Sequence, residues 1–314
     1  MKPDRVHFQL TGRCNLACSF CGQEKGLLAC QPENELSLSE WLRIASELDP
    51  GTKITLWGGE PLLWDGFDAL ARELYSRGFE LSVITNGTMI DRHFKVLNQY
   101  FTEIFVSIDG EEAEHDAIRG AGVFASLKRN LPLLDCRNGK LIFMSVIIDE
   151  KCADLPFRLA YLKPDEWIFS QLIYLSEAEY EAYQQKAPAP YPELSRWIMN
   201  DDSSYLPRLT RALEQIEHNK KSYPFNVSVT PHDYPENRFL GCFCPAMNKR
   251  LHIRHDGECG FCTDFFGISL GNVRNASISD IWNGTQADAL RDMLKKEPLP
   301  ICRHCPWFGQ QFRS

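Results

Sequence analysis

The sequence predicts an α/β protein: a partial (β/α)6 barrel followed by a cysteine-rich C-terminal extension. Three observations carry that expectation. Strand-like and helix-like stretches alternate through residues 1–175, and repeated β–α units form a parallel sheet with helices outside. Six such units are too few for an eight-stranded closure. Most of the twelve cysteines fall in two sets, one just after the first strand and one beyond residue 240.

The elements follow in order. Val6–Leu10 is a short apolar strand, and Ser39–Leu48 a helix with Ser37 or Ser39 as N-cap. Lys53–Trp57 is strand-like, and Phe67–Arg77 is an amphipathic helix ended by Gly78. Glu80–Thr85 and Glu103–Ile108 are strands, followed by helices at Asp91–Tyr100 and Phe124–Leu134. Leu141–Ile148 is a β-branched apolar run and so a buried strand. A helix at Ala153–Leu162 and a sixth strand at Trp167–Leu172 complete a TIM-type partial barrel over residues 1–175. Residues 176–240 form a proline-rich bridge with a helix at Leu206–Asn219. Residues 241–314 form a compact extension with a hairpin at His252–Cys262 that turns at Asp256–Gly257. Helices follow at Ile278–Trp282 and Gln286–Lys296. In such sheets ligands sit at the carboxyl ends of the strands, which is where the motifs below fall.

Composition narrows the function. Apolar residues make up 44%, charged residues 24% and the net charge is −8, as expected of a folded chain with no basic stripe for nucleic acid. There is no secretory h-region and no apolar run long enough to span a membrane, so the expected compartment is the reducing cytoplasm, with neither nucleic acid nor membrane as partner. In that compartment close-spaced thiols bind metal rather than form disulfides.

Cys14, Cys18 and Cys21 have the spacing C-x3-C-x2-C. Thiolates are soft ligands suited to iron–sulfur clusters. Three in one loop leave a fourth position open, as a reactive metal site requires. A zinc site completed by Cys30 is the competing reading. Trp57-Gly58-Gly59-Glu60-Pro61 follows the second strand. Its glycines let the backbone approach a ligand, and a backbone oxygen or carboxylate there accepts hydrogen bonds from an ammonium group. Thr85-Asn86-Gly87 and Ser107-Ile108-Asp109-Gly110 end the third and fourth strands, and Arg119 follows in His115–Gly120.

The run Cys14-Asn15-Leu16-Ala17-Cys18-Ser19-Phe20-Cys21, with the GGEP sequence after it, resembles the radical S-adenosylmethionine (SAM) superfamily. The resemblance implies a [4Fe–4S] cluster on Cys14, Cys18 and Cys21 whose open iron chelates SAM. Electron transfer then cleaves SAM to methionine and a 5′-deoxyadenosyl radical that abstracts hydrogen from substrate. It implies SAM contacts from Phe20, from Gly58, Gly59, Glu60 and Pro61 at the amino group, from Ser107 and Asp109 at the ribose, and from Arg119 at the carboxylate. Val146–Ile148 is a candidate wall for adenine or simply core.

The second set, Cys244, Gly257, Cys262, Gly271-Asn272 and Cys302-x2-Cys305, resembles the SPASM/twitch subgroup, with its C-terminal auxiliary cluster domain. The longer central cysteine array of a two-cluster domain is missing. The resemblance therefore implies one auxiliary [4Fe–4S] cluster on Cys244, Cys262, Cys302 and Cys305, against a zinc ribbon as the alternative. Cys242 and Cys259 are rival ligands or hydrogen donors to a substrate radical. Cys30, Cys136 and Cys152 read as buried or incidental thiols. His232, Asp233, His255 and Asp264 are base candidates whose simpler reading is turn or surface. The expected substrate is a ribosomally made peptide, or otherwise a sugar or aminoglycoside-type small molecule. The short stretch ahead of the first strand points toward a small substrate, or toward leader recognition by another protein. Flavodoxin or ferredoxin is the expected electron donor. A non-catalytic iron–sulfur or zinc protein is the alternative of another class.

Overall fold

The computed structural model describes residues 2–21, 32–135, 139–186, 202–229, 246–262 and 268–296, with residues 244, 299, 302 and 305. The first half runs β1 (Arg5–Thr11), α1 (Leu38–Ala45), β2 (Lys53–Gly58), α2 (Phe67–Ser76), β3 (Glu80–Thr85), α3 (Ile90–Tyr100), β4 (Glu103–Ser107), α4 (Glu112–Arg119), α5 (Val123–Asn130), β5 (Lys140–Ile147), α6 (Leu155–Arg158) and β6 (Glu166–Gln171). Then come α7 (Glu177–Lys186), α8 (Asp202–Asn219), β7 (Asn226–Val229), α9 (Ala246–Lys249), β8 (Arg250–Ile253), β9 (Glu258–Gly260), β10 (Gly271–Asn272), α10 (Ile278–Trp282) and α11 (Thr285–Lys296).

All ten strands join one sheet in the order β10-β9-β8-β1-β2-β3-β4-β5-β6-β7. The six predicted strands are the parallel run β1 to β6, an open α/β barrel. Two strands extend it beyond expectation. β7, from the proline-rich bridge, adds parallel to β6. β8, the first arm of the predicted C-terminal hairpin, adds parallel to β1 through Arg5↔Arg250 and Phe8↔Ile253. The hairpin therefore extends the barrel sheet at its first strand, with β9 antiparallel to β8.

Strand alternation sorts the two faces. On β1, Val6, Phe8 and Leu10 are fully buried toward the helices, and Phe8 stacks on Trp41 of α1 at 4.6 Å. Ile54 and Leu56, Leu81 and Val83, Ile104 and Val106, and Leu141 and Phe143 continue that layer. The opposite, inner face carries His7, Gln9, Thr55, Trp57 and Ser82, matched in register across β1, β2 and β3. A polar inner face suits a barrel that holds a ligand rather than one packed solid.

Local signals explain the helix ends. Ser37, not Ser39, caps α1: its hydroxyl accepts the Glu40 amide at 3.3 Å, and Glu40 accepts the Ser37 amide at 2.8 Å, a complete capping box. The helix expected over 124–134 stops at Asn130, where Pro132 tightens the chain into a 3₁₀ turn. The one expected over 153–162 shrinks to α6, between 3₁₀ turns at Glu150–Asp154 and Ala160–Leu162. The bridge helix begins earlier than expected, at Asp202, and carries Pro207 within it. Among the described residues no helix is long and apolar enough to cross a membrane.

Candidate functional site

The loop after β1 carries Cys14, Cys18 and Cys21, which share one cavity of about 250 Å³. The Cys21 amide donates to the Cys18 carbonyl at 3.0 Å, a tight turn that keeps two of the thiols together. Gly58, Gly59, Ser107 and Arg119 close the cavity from the ends of β2, β4 and α4, and Phe20 lines it as well. The sequence motifs thus converge at the carboxyl ends of the parallel strands, as sheet topology requires.

The Gly58-Gly59-Glu60-Pro61 turn divides its labour. A Cβ on Gly58 would lie 2.3 Å from the Thr11 carbonyl oxygen, so only glycine lets the end of β2 lie against β1. The Gly59 amide donates to that same oxygen at 2.9 Å, and the Glu60 amide to the Arg13 carbonyl at 2.8 Å. Glu60 itself is fully buried. Its carboxyl accepts the Thr85 hydroxyl and the Asn86 amide, each at 2.7 Å, and the Leu62 amide at 3.2 Å. Burial pushes it up to about 7 against the pull of those three bonds. The carboxylate is therefore committed inward, clamping the start of the Pro61–Leu63 turn to the end of β3. The glycines, not the Glu60 side chain, face the cavity.

Asp109 and Arg119, read separately from the sequence, form one buried unit. Arg119 Nε donates to Asp109 Oδ2 at 2.5 Å, with the Asp109 side chain fully enclosed. The other Asp109 oxygen accepts the Val146 amide at 2.7 Å. Arg119 reaches on to the Cys18 sulfur at 3.9 Å and lies over the Phe20 ring at 5.6 Å. Burial works against its charge, but Asp109 and Cys18 more than offset it, so the guanidinium stays charged. Arg119 lines the cavity and Asp109 stands behind it. His115 supports the unit: its Nδ1 accepts the Asp109 amide at 3.1 Å, and burial holds it down at about 4, hence neutral.

Sequence reading missed Asn86 as a site residue. Its side chain donates to Asn15 at 2.9 Å and approaches the Cys14 sulfur at 3.8 Å, while its oxygen accepts the Thr88 amide at 2.9 Å. Asn15 in turn donates to the Thr88 hydroxyl at 2.8 Å. This lattice pins the cysteine loop to the end of β3. An asparagine at a strand end signals a turn, and nothing in its local sequence marks the second role. Arg13 was also missed: its guanidinium takes both Glu35 oxygens at 3.1 Å and braces the loop from the other side.

At the C-terminal set, Cys244, Cys262, Cys302 and Cys305 come together. Cys302 is partly buried, and its thiol is pushed up by desolvation and then by Cys244 and Cys262. Arg250 senses three of the four: burial and Arg5 pull it down to about 10, against Cys244, Cys305 and Cys262. Cys259 stands apart. Its buried thiol is within 3.7 Å of the Gly257 carbonyl, and burial and Glu258 dominate its environment. Cys242, His232, Asp233, Asp264, Cys30 and Cys136 lie outside the described residues, whereas His255 is buried and Cys152 is a buried thiol of the barrel. The extension is tied to the barrel start: Arg274 donates to Glu40 at 2.9 Å and to the Asn34 carbonyl at 3.0 Å, and the Leu36 amide donates to the His255 carbonyl at 2.6 Å.

The donors of both sets are thiols, the soft ligands that iron–sulfur clusters take. Burial raises Cys14 to about 11, so iron binding there displaces a proton.

A parallel barrel with three cysteines beside a diglycine turn at its carboxyl rim is the architecture of SAM-dependent radical enzymes. The radical SAM superfamily model matches residues 8–150, and the chain belongs to that superfamily. The model of the SPASM iron–sulfur cluster-binding domain matches residues 242–306, making this a radical SAM enzyme with a SPASM auxiliary domain. Among curated relatives, the tungsten-containing aldehyde ferredoxin oxidoreductase cofactor-modifying protein of Pyrococcus furiosus is 26% identical over 336 residues, 96% of this chain and 86% of that protein. The sporulation killing factor maturation protein SkfB of Bacillus subtilis is 34% identical over 284 residues, 89% of this chain and 64% of that protein. Among solved structures, Streptococcus suis SuiB bound to S-adenosylmethionine superposes with a TM-score of 0.69 at 15% identity, covering 97% of this chain and 72% of that one. That last likeness concerns the fold.

Proposed function

We propose that this enzyme modifies a ribosomally made peptide or protein. The observation that carries this reading is the 34% identity, over 89% of the chain, to a protein named for maturing a killing factor. A dehydrogenase or epimerase of a sugar or aminoglycoside-type small molecule is the second choice.

A four-iron cluster on Cys14, Cys18 and Cys21, with SAM on its open iron, would supply the radical that takes hydrogen from substrate. The protein's part is placement. The backbone of Gly58 and Gly59 would receive the SAM amino group, Arg119 its carboxylate and Ser107 its ribose, with Phe20 shaping the wall, whereas Pro61 is buried in the turn behind it. Asp109 acts through Arg119, as a positioning residue. One auxiliary [4Fe–4S] cluster would fill Cys244, Cys262, Cys302 and Cys305, leaving it to electron transfer or structure. Cys242 and Cys259 remain proposed hydrogen donors. A flavodoxin or ferredoxin would supply electrons.

The test is incubation of the reduced, SAM-loaded enzyme with a library of short ribosomally encoded peptides, read by high-resolution mass spectrometry in deuterated buffer. Loss of two hydrogens marks cross-linking or oxidation, and gain of one deuterium marks epimerisation. Unchanged peptides, together with conversion of a sugar or aminocyclitol, would sink the peptide reading. Reduced protein that binds SAM but never forms 5′-deoxyadenosine would favour a non-catalytic role.

A further inference from the structure

Three cations stand in one row across the amino end of the sheet. Arg250 of β8, Arg5 of β1 and Lys53 of β2 are register partners, each level with the next. Like charges paired across neighbouring strands destabilise a sheet, so such a row calls for anions beside it. Lys53 has one, the Glu80 carboxylate at 3.0 Å. Arg5 has no carboxylate partner among the described residues. Arg250 is half-buried, as Arg5 is. Burial and Arg5 both work against the Arg250 charge, and what favours it is Cys244, Cys305 and Cys262.

The backbone explains why these groups meet. The Cys244 thiol takes the Ala246 and Met247 amides at the start of α9, and α9 runs directly into Arg250. On the other side, β9 pairs with β8 through His252↔Gly260. Continued by two residues, that antiparallel register brings Cys262 level with Arg250. Charge then becomes the issue. Four thiolates around an oxidised four-iron core carry a net double negative charge, and one-electron reduction adds a third. Guanidiniums stay ionised at working pH. Two of them offset the oxidised charge and favour the reduced one, because net charge is a lever on cluster potential. At the SAM set, by contrast, the cation Arg119 is bonded to Asp109.

We infer that Arg250, with Arg5 beside it, supplies the countercharge of the auxiliary cluster and raises its reduction potential, fitting that cluster to accept an electron rather than to supply one. The inference rests on the reading of Cys244, Cys262, Cys302 and Cys305 as an iron–sulfur site, and adds the residues that set its potential. Arg250 tunes the cluster and takes no part in bond making.

The test is an EPR-monitored redox titration of the anaerobically reconstituted, full-length enzyme, with the Cys14/Cys18/Cys21→Ala form identifying the auxiliary signal. Arg250→Met removes the charge and keeps an apolar stem. It should lower the auxiliary potential by at least about 59 mV, a tenfold change in a one-electron equilibrium. Arg250→Lys should stay near wild type, and Arg5→Met should lower the potential by a smaller amount. The sign separates charge from packing. Loss of a cation disfavours the more negative reduced state and lowers the potential, whereas a loosened site admits water, which favours that state and raises it. An unchanged or raised potential in Arg250→Met overturns the inference alone. If Arg250→Met takes up no auxiliary iron, Arg5→Met carries the same readout, and an unshifted or raised potential there overturns it. Wild type that holds zinc at the C-terminal thiols overturns the auxiliary-cluster reading and the inference together.

Discussion

Asp109 and Arg119 allow a sharp test of who touches SAM. If Asp109 contacted the ribose, its loss and the loss of Arg119 would be independent. The structure instead has Asp109 enclosed and bonded to Arg119 at 2.5 Å, with Arg119 alone lining the cavity. Arg119→Gln removes a charged hydrogen-bond donor, which costs about 1.5–3 kcal/mol, or about ten- to a hundredfold in SAM affinity. Asp109→Asn leaves the buried guanidinium without its countercharge, so it should weaken SAM binding similarly and destabilise the fold by about 3–5 kcal/mol. The double variant has no stranded charge. It should bind SAM no worse than Arg119→Gln and be more stable than Asp109→Asn alone, because coupled pairs are not additive. Isothermal titration with SAM and urea unfolding of the four proteins measure both halves of the cycle. Multiplying affinity losses with summed stability losses in the double variant would refute the positioning role and restore Asp109 as a direct ligand.

Three further outcomes follow from the geometry. Anaerobic reconstitution should load about eight irons, falling to about four in the Cys14/Cys18/Cys21→Ala variant; four falling to none, with zinc present, would make the C-terminal set a zinc fold. Glu60 has a pKa raised from 4.5 to about 7, so its contribution to stability is full below about pH 4.5 and lost as pH rises to 7. That amounts to about 3 kcal/mol. Wild type should therefore lose stability between pH 5 and pH 8 that Glu60→Gln, whose amide does not titrate, keeps, and equal pH dependence of the two unfolding curves would show that the carboxyl does not titrate in that range. Glu40 shows the opposite sign: burial opposes the shift, but the Ser37 amide and then Arg274 hold it at about 2. Its contribution is present above about pH 4.5 and lost on acidification toward 2. Arg274→Ala should move that acid loss to higher pH, as limited proteolysis across pH 2–5 would detect.

The sequence made the barrel legible because local pattern and global fold agree there: β2, β3 and β5 were read to within a residue or two from apolar runs and capping signals. The two sets of close-spaced thiols were legible for the same reason, since spacing is written locally. Pairings over long separations were not legible. Nothing in Asn226–Val229 announces an edge strand on β6, and nothing in Arg250–Ile253 announces parallel pairing with β1, some 245 residues earlier. Glu60 illustrates the limit at the site. Its motif suggested a carboxylate facing ligand, whereas Thr85 and Asn86, a strand away, turn it inward.

The β8–β1 pairing also sets how far apart the two thiol groups stand. Arg250 is level with Arg5 and close to Cys244, Cys262 and Cys305, so the C-terminal thiols gather at the amino end of β1. Cys14 follows its carboxyl end. β1 has seven residues, which at about 3.3 Å each separates the two groups by roughly 20 Å. At that distance a cluster on the C-terminal thiols would not touch the atoms that react beside Cys14, which fits the electron-transfer or structural role proposed for it.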